Sequence, residues 1–172
     1  MSTTVIIPTK NEVVGIRQIL SQVDKDWADE WYLMDAKSTD GTIEEAQKLG
    51  FQVLQQTGKG LSNAYREGVE KASSENVLFF SPDGNAEPKD IPTLIKKMET
   101  GKFDIVQISR FGKNGISEDD TLITAFGNRM FTFLVNVFFG GKLTDSLFGF
   151  KIIKKKIFQD LNLDGEFLTL EQ

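Results

Sequence analysis

Between residues 76 and 88 an apolar run stops on a turn rich in oxygen ligands: Val77, Leu78, Phe79 and Phe80 lead into Ser81, Pro82, Asp83, Gly84 and Asn85. A carboxylate and a carboxamide two residues apart suit a hard divalent cation and the phosphates it neutralises. Four consecutive apolar residues predict a strand covered on both faces, and Pro82, Gly84 and Pro88 predict that it ends there. In open α/β sheets ligands gather at the carboxyl ends of strands, so Asp83 and Asn85 are candidate metal and phosphate ligands. An ordinary β-turn also favours Asp beside Gly, and the rest of the chain has to decide between the two.

Holding Asp83 in that way requires a sheet, and the flanking sequence supplies one. Thr3 to Ile7 is a β-branched run ended by Pro8, a strand signal that leaves Thr9, Lys10, Asn11 and Glu12 at its carboxyl end. Val13, Val14, Ile16, Ile19, Leu20 and Val23 recur at helical spacing. Trp31 to Met34 predicts a second strand ending on Asp35, and the polar turn 36–42 opens a helix that closes at Gly50. Residues 51–55 alternate apolar and polar and predict a third, edge strand before Gly58, Lys59 and Gly60. A helix face follows on Leu61, Ala64, Tyr65, Gly68, Val69 and Ala72. After the strand at 77–80 come a helix marked by Ile91, Leu94, Ile95 and Met98 and a fifth strand over 104–109 leading to Arg110. This alternation predicts an α/β fold with a mostly parallel central sheet, right-handed crossovers and flanking helices.

Past Phe111 the pattern changes. Residues 112–120 form a polar, glycine-containing loop of the kind that carries acceptor specificity or acts as a lid. Residues 121–139 are rich in Phe, yet Asn128, Thr132 and Asn136 recur every four residues, so the segment predicts a helix with a narrow polar stripe rather than a transmembrane span. Two readings stay open: a helix set partly on the core and partly on an apolar partner or membrane surface, or one simply buried. Residues 145–151 predict a short returning segment, followed by a small helix around Ile157 and Leu161.

With 172 residues, 40% of them hydrophobic, the chain can bury one core, and one domain is the natural count. It has no Cys and no His, which excludes disulfide scaffolds, thiol nucleophiles, Ser-His-Asp triads and the common zinc sites. Catalysis must rest on carboxylates, Lys, Arg, hydroxyls or an oxygen-bound metal. A net charge of −5 argues against a nucleic-acid partner. The first residues show no basic stretch followed by a long apolar one, so a cytoplasmic location is expected.

Six stretches together resemble the family-two glycosyltransferases with the GT-A fold, the group that includes dolichol-phosphate mannose synthases and bacterial polyprenyl-phosphate sugar transferases. Val5 to Glu12 is similar to the family's opening strand and turn, Asp35 to Thr42 to its Asp-Asp-Gly-Ser-Thr-Asp-Gly-Thr signature, and Gly58 to Gly60 to its Gly-Lys-Gly turn. Ser81 to Asp83 stands at its Asp-x-Asp motif, Ile108 to Arg110 at Gly-Ser-Arg, and Asp145 to Phe150 at its acceptor-side Asp…Gly-Phe element. The resemblance covers about Thr3 to Lys151. It implies a single GT-A domain over residues 1–172, with a nucleotide-sugar-binding half at 1–110 and an acceptor-side half at 111–172. Family members usually continue past the equivalent of Gln172, so a truncated catalytic domain is expected.

The activity implied is inverting, metal-assisted transfer of a sugar from a nucleoside-diphosphate sugar to an acceptor, a polyprenyl phosphate or a growing glycan. By resemblance Asp35 accepts from the base, and Pro8, Thr9 and Glu12 frame the nucleoside. Asp83 with Asn85 holds Mg²⁺ or Mn²⁺ against the diphosphate, Lys59 and Arg110 are phosphate partners, and Asp145 is the base or the acceptor-positioning group. A lipid acceptor fits a peripheral position at the inner face of a membrane, with contact through residues 121–139. Ala36 and Lys37 replace the second Asp and the Gly of the signature, Ser81 replaces the first Asp of Asp-x-Asp, and Lys10 replaces an aromatic residue. These departures motivate the rival reading, a nucleotide-sugar-binding domain that has lost catalysis.

Overall fold

Burial on both faces decides where the first strand lies. A computed structural model of the chain describes residues 1–110 and 122–162. In it β1 (Thr3–Thr9) has every residue buried except the half-buried Pro8. The order that follows is α1 (Val13–Gln18), β2 (Glu30–Asp35), α2 (Thr42–Lys48), β3 (Gln52–Gln55), α3 (Leu61–Lys71), β4 (Asn76–Phe79), α4 (Ile91–Thr100), β5 (Ile105–Gln107), α5 (Leu122–Phe139), β6 (Lys151–Lys154) and α6 (Lys155–Asp160). Among the described residues one six-stranded sheet runs β3-β2-β1-β4-β6-β5. β1 pairs in parallel with β2 and β4, and β2 with β3, so the helical connections cross over as the alternation predicts. β3 is an edge strand, as its mixed pattern suggests.

Three elements differ from the sequence reading. The returning segment after Asp145 becomes β6, antiparallel to β4; its two buried residues, Ile152 and Ile153, are too few to show a period of two. The first helix stops at Gln18, and short 3₁₀ turns at Leu20–Gln22 and Lys25–Trp27 carry the chain on while keeping Leu20 buried. β5 is shorter than 104–109. The loop at 112–120 and the C-terminal residues 163–172 lie outside the described residues.

The chain divides into two compact units, Met1–Val106 with Phe150 onward, and Gln107–Gly149. In the first, Ile6, Met34, Val77, Phe79 and Ile153 from the sheet meet Ala64, Val69 and Ala72, with Tyr65, Ile157 and Phe158 packed against them. The Phe79 ring lies 4.3 Å from Tyr65 and 5.5 Å from Phe158. Gly68 lets α3 approach the sheet this closely, because a Cβ there would come within 2.7 Å of Ile6 Cγ2.

The second unit contains α5, which is built inside out. Its polar stripe is the face that meets the unit's own chain: Thr132 is buried, its Oγ1 lies 2.9 Å from Ser146 Oγ, and it accepts the Ser146 N–H at 3.1 Å. Asn136 exchanges two 2.8 Å bonds with the main chain of Leu143. Phe126, Met130, Phe133, Leu134, Val137 and Phe138 are exposed, Phe138 by 75%. Within this chain, then, α5 is not simply buried. The spacing could not show which face turns inward, since short polar side chains can serve the protein's own backbone as well as water.

Candidate functional site at the carboxyl ends of the strands

The first unit gathers several predicted site residues at the carboxyl ends of β1, β2 and β4. Thr9 and Asp35 end neighbouring strands in register, and Thr9 Oγ1 donates to Asp35 Oδ2 at 3.1 Å. Asp35 is fully covered, and its carboxylate also takes the Ser38 N–H at 2.8 Å and the Ser38 hydroxyl at 2.5 Å. Pro8 precedes Thr9, opposite Met34. The turns after β1 and β2 are stitched together: the N–H groups of Asn11, Glu12 and Val13 donate to Ser38 Oγ, Thr42 Oγ1 and Asp40 Oδ2, and Thr39 N–H donates back to Asn11 Oδ1. Asn11 and Lys37 take left-handed φ values of 57° and 62° to make these turns. Asn tolerates that conformation better than Lys, which stands where the family pattern has Gly.

Asp83 and Asn85 are exposed in the turn beyond β4, with Asp83 Oδ1 accepting the Asn85 N–H at 3.0 Å. Gly84 at φ 88° completes the turn, as glycine should. Packing ties this turn to α1, because a Cβ on Gly15 would lie 2.0 Å from the Pro82 carbonyl oxygen. The electrostatics agree. Burial pushes the Glu12 carboxyl up, and the charges of Asp83 and Asp40 push it further. Burial and Asp83 likewise raise the Tyr65 hydroxyl on α3. Negative charge is in excess around Asp83, a setting that a bound cation relieves. Among the described residues no three His, Cys, Asp or Glu side chains surround a common metal position. A cation here would use Asp83, Asn85 and oxygens brought by a ligand, the pattern common for Mg²⁺.

Lys59 lies exposed in the loop between β3 and α3, whose first residue, Gln56, donates its N–H to Asp35 O at 2.9 Å. A cavity of about 490 Å³ lined by Ser74, Asn76, Lys154 and Lys155 lies at the amino end of β4, the opposite end of that strand from Asp83. Its lysines are engaged, Lys154 with Asp104 and Lys155 with Ala72 O, and none of the predicted site residues lines it.

The remaining two predicted residues meet in the second unit. Asp145 has a fully buried side chain and pairs with Arg110, whose side chain is 21% exposed. Its carboxylate accepts five hydrogen bonds: from Arg110 N–H at 3.2 Å, Nε at 2.9 Å and Nη2 at 3.2 Å, and from the Leu147 and Phe148 N–H groups at 3.2 Å each. The Arg110 guanidinium carbon also lies 5.1 Å from the Phe148 ring centroid, within cation–π reach. Burial pushes the Asp145 carboxyl up, but the bonds from the Arg110 side chain and backbone overcome it and hold the group below the usual carboxylate range. The geometry makes Asp145 a fixed anion that orients Arg110 and caps the turn after itself.

Sequence reasoning missed the residues that hold these groups: Ser38 on Asp35, Asp40 and Thr42 on the first turn, Gly15 against Pro82, and, on the loop around Lys59, Gln56, which bonds the Gly58 and Gly60 carbonyls, and Glu67, which accepts from the Thr57 and Gly58 N–H groups. Ser38, Asp40 and Thr42 stand in the signature turn and could have been suspected. Nothing in the sequence pairs Gly15 with Pro82 or Glu67 with Gly58.

Comparison with known proteins agrees with this architecture. Residues 4–161 match glycosyl transferase family 2, and the chain belongs to that family. It is 29% identical over 174 residues to the glycosyltransferase AglJ of Haloferax volcanii, covering 97% of this chain and 55% of that protein. It is 34% identical over 127 residues to the dolichol-phosphate mannosyltransferase of Pyrococcus furiosus, covering 69% and 36%. The chain thus spans about half the length, or less, of these relatives. The fold is the GT-A fold: glucosyl-3-phosphoglycerate synthase of Mycobacterium tuberculosis, solved with Mn²⁺, UDP-glucose and glycerol 3-phosphate, superposes with a TM-score of 0.73 at 20% identity, over 91% of this chain and 57% of that one.

Proposed function

We propose that the chain is the catalytic part of an inverting glycosyltransferase that moves a sugar from a nucleoside-diphosphate sugar to an acceptor. The observation that carries this reading is the acidic site at the end of β4, where exposed Asp83 stands in electrostatic reach of Glu12 in a chain that belongs to this family. Asp83 and Asn85 would hold Mg²⁺ or Mn²⁺; the ion, when bound, supplies positive charge to the departing diphosphate. Pro8, Thr9 and Glu12 frame the nucleoside and Asp35 reads its base, a role that requires the Ser38 hydroxyl to release the carboxylate it now covers. Lys59 and Arg110 contact phosphate. With a lipid-phosphate acceptor, an already anionic oxygen forms a bond to the anomeric carbon as the bond from that carbon to the diphosphate breaks; the electron pair of the broken bond leaves on the diphosphate and no proton has to be removed. For Asp145, the pairing with Arg110 and the lowered carboxyl favour positioning the acceptor through Arg110 over taking its proton.

The outward apolar face of α5 supports a lipid-phosphate acceptor reached at the inner face of a membrane, with the chain peripheral on the cytoplasmic side. No helix among the described residues is long and apolar enough to cross a membrane. Co-sedimentation with vesicles containing anionic lipid tests this contact, and Phe133→Ser with Phe138→Ser should abolish it; retained binding would remove α5 from it.

The rival reading, a nucleotide-sugar-binding domain without catalysis, draws on Ala36, Lys37 and Ser81. Hydrolysis of a panel of nucleoside-diphosphate sugars, with and without Mn²⁺, separates the two. Metal-dependent turnover that Asp83→Asn abolishes supports the transferase; metal-dependent binding without turnover of any donor supports the rival. Mn²⁺-dependent nucleotide binding that Asp83→Asn leaves unchanged would overturn the metal assignment.

A further inference from the structure

The loop that carries Lys59 is held by two side chains outside every motif discussed so far. Buried Gln56 donates through Nε2 to the Gly58 and Gly60 carbonyls at 2.9 and 3.0 Å. From α3, Glu67 accepts the Thr57 N–H at 2.9 Å, the Thr57 hydroxyl at 2.6 Å, the Gly58 N–H at 3.0 Å and the Asn63 side-chain amide. Asn63 is in turn bonded by Arg66. Main-chain groups on both sides of Lys59 are therefore fixed, while Lys59 itself is exposed. The loop fits only as glycine here: Gly60 sits at φ 81°, and a Cβ on Gly58 would lie 2.2 Å from Asn63 Nδ2.

A carboxylate beside a loop meant to meet phosphate should weaken binding by repulsion. Glu67 nevertheless stays anionic, its carboxyl at about 2, because the Thr57 and Gly58 donors more than reverse the effect of burial; its place there is explained by the loop groups it fixes rather than by its charge. We infer that Glu67, with Gln56, is a positioning residue that orients Lys59 toward the diphosphate of the donor. The inference rests on the donor reading above. Anchoring the loop in advance removes the ordering cost that a free lysine loop meets on binding.

The test is a double-mutant cycle on the whole chain, read by calorimetric titration of inorganic diphosphate with Mn²⁺. Lys59→Ala should weaken binding about tenfold and Glu67→Ala about fivefold, and the double variant should bind about as weakly as Lys59→Ala alone, because coupled neighbours are non-additive. Glu67→Gln, which keeps shape and one acceptor, should fall between wild type and Glu67→Ala. Wild-type affinity in Glu67→Ala, or losses that multiply in the double variant, would overturn the inference while leaving the donor reading standing. Failure of the wild-type chain to bind the probe removes both. A purely structural Glu67 would lower thermal stability equally with and without Lys59 and show no coupling in the binding cycle, which also overturns the inference.

Discussion

Replacing Gly15 by Ala sets two effects against each other. Gly15 lies in α1, where alanine is favoured over glycine by about 1 kcal/mol of helix propensity. On that ground alone the variant should be more stable. The added Cβ, however, would lie 2.0 Å from the Pro82 carbonyl oxygen, and ordinary contact begins at 3.4 Å. Main chain or helix must therefore yield by more than an ångström, and overpacking of that kind costs about 1–3 kcal/mol, occasionally more. An overlap this large with main chain belongs at the upper end of that range, so the clash should win with a net loss of about 2 kcal/mol, or a fall in Tm of about 4–8 °C for a chain of this size. Urea unfolding measures the first and a thermal scan the second. Because Pro82 precedes Asp83, Mn²⁺-dependent nucleotide binding should weaken as well. Gly127 in α5 has nothing within 4 Å of its Cβ position, so Gly127→Ala is the control in which propensity acts alone, and it should stabilise slightly. A Gly15→Ala protein as stable as the wild type, or more so, would refute the packing of α1 on the Asp83 turn.

Asp145→Asn removes the buried carboxylate charge that faces Arg110 and should destabilise by about 2–4 kcal/mol, the cost of breaking a buried pair reduced for the partly exposed guanidinium; a change under about 0.5 kcal/mol on denaturation would show that the pair contributes little. Asp35→Ala should lose discrimination among UDP, GDP and ADP by more than it loses affinity for inorganic diphosphate, and equal losses in titration would point to a folding defect. Glu67 has a depressed carboxyl, so its contribution to stability is complete above its ordinary value of 4.5 and disappears as pH falls toward about 2. Wild-type and Glu67→Gln unfolding curves should therefore converge across that acid range, and a constant gap between them at every pH would contradict the bonding to Thr57 and Gly58.

Much of the fold was legible because parallel strands buried on both faces advertise themselves. The runs Val5 to Ile7 and Val77 to Phe80, closed by Pro8 and Pro82, announced strands whose ends carry Thr9 and Asp83, and the signature turn announced Asp35. α5 was legible as a striped helix from Asn128, Thr132 and Asn136. The short β6 was not, since two isoleucines between lysines carry too little pattern to separate a strand from a loop.

What the amino-acid order determined by itself was local: which segments bury apolar surface, where each must stop, and which oxygen and nitrogen ligands stand at those stops. Periodicity and turn chemistry act within a few residues, so one chain suffices to read them. Tertiary structure alone decided that the polar stripe of α5 faces inward, that Asp145 is consumed by Arg110, that Asp35 is sealed under Ser38, and that Gln56 and Glu67 hold the Lys59 loop. Those outcomes depend on pairs such as Arg110 and Asp145, or Gly15 and Pro82, far apart in the chain. Donors and acceptors of these kinds have many possible partners, and only the packing of the sheet and its helices selects among them.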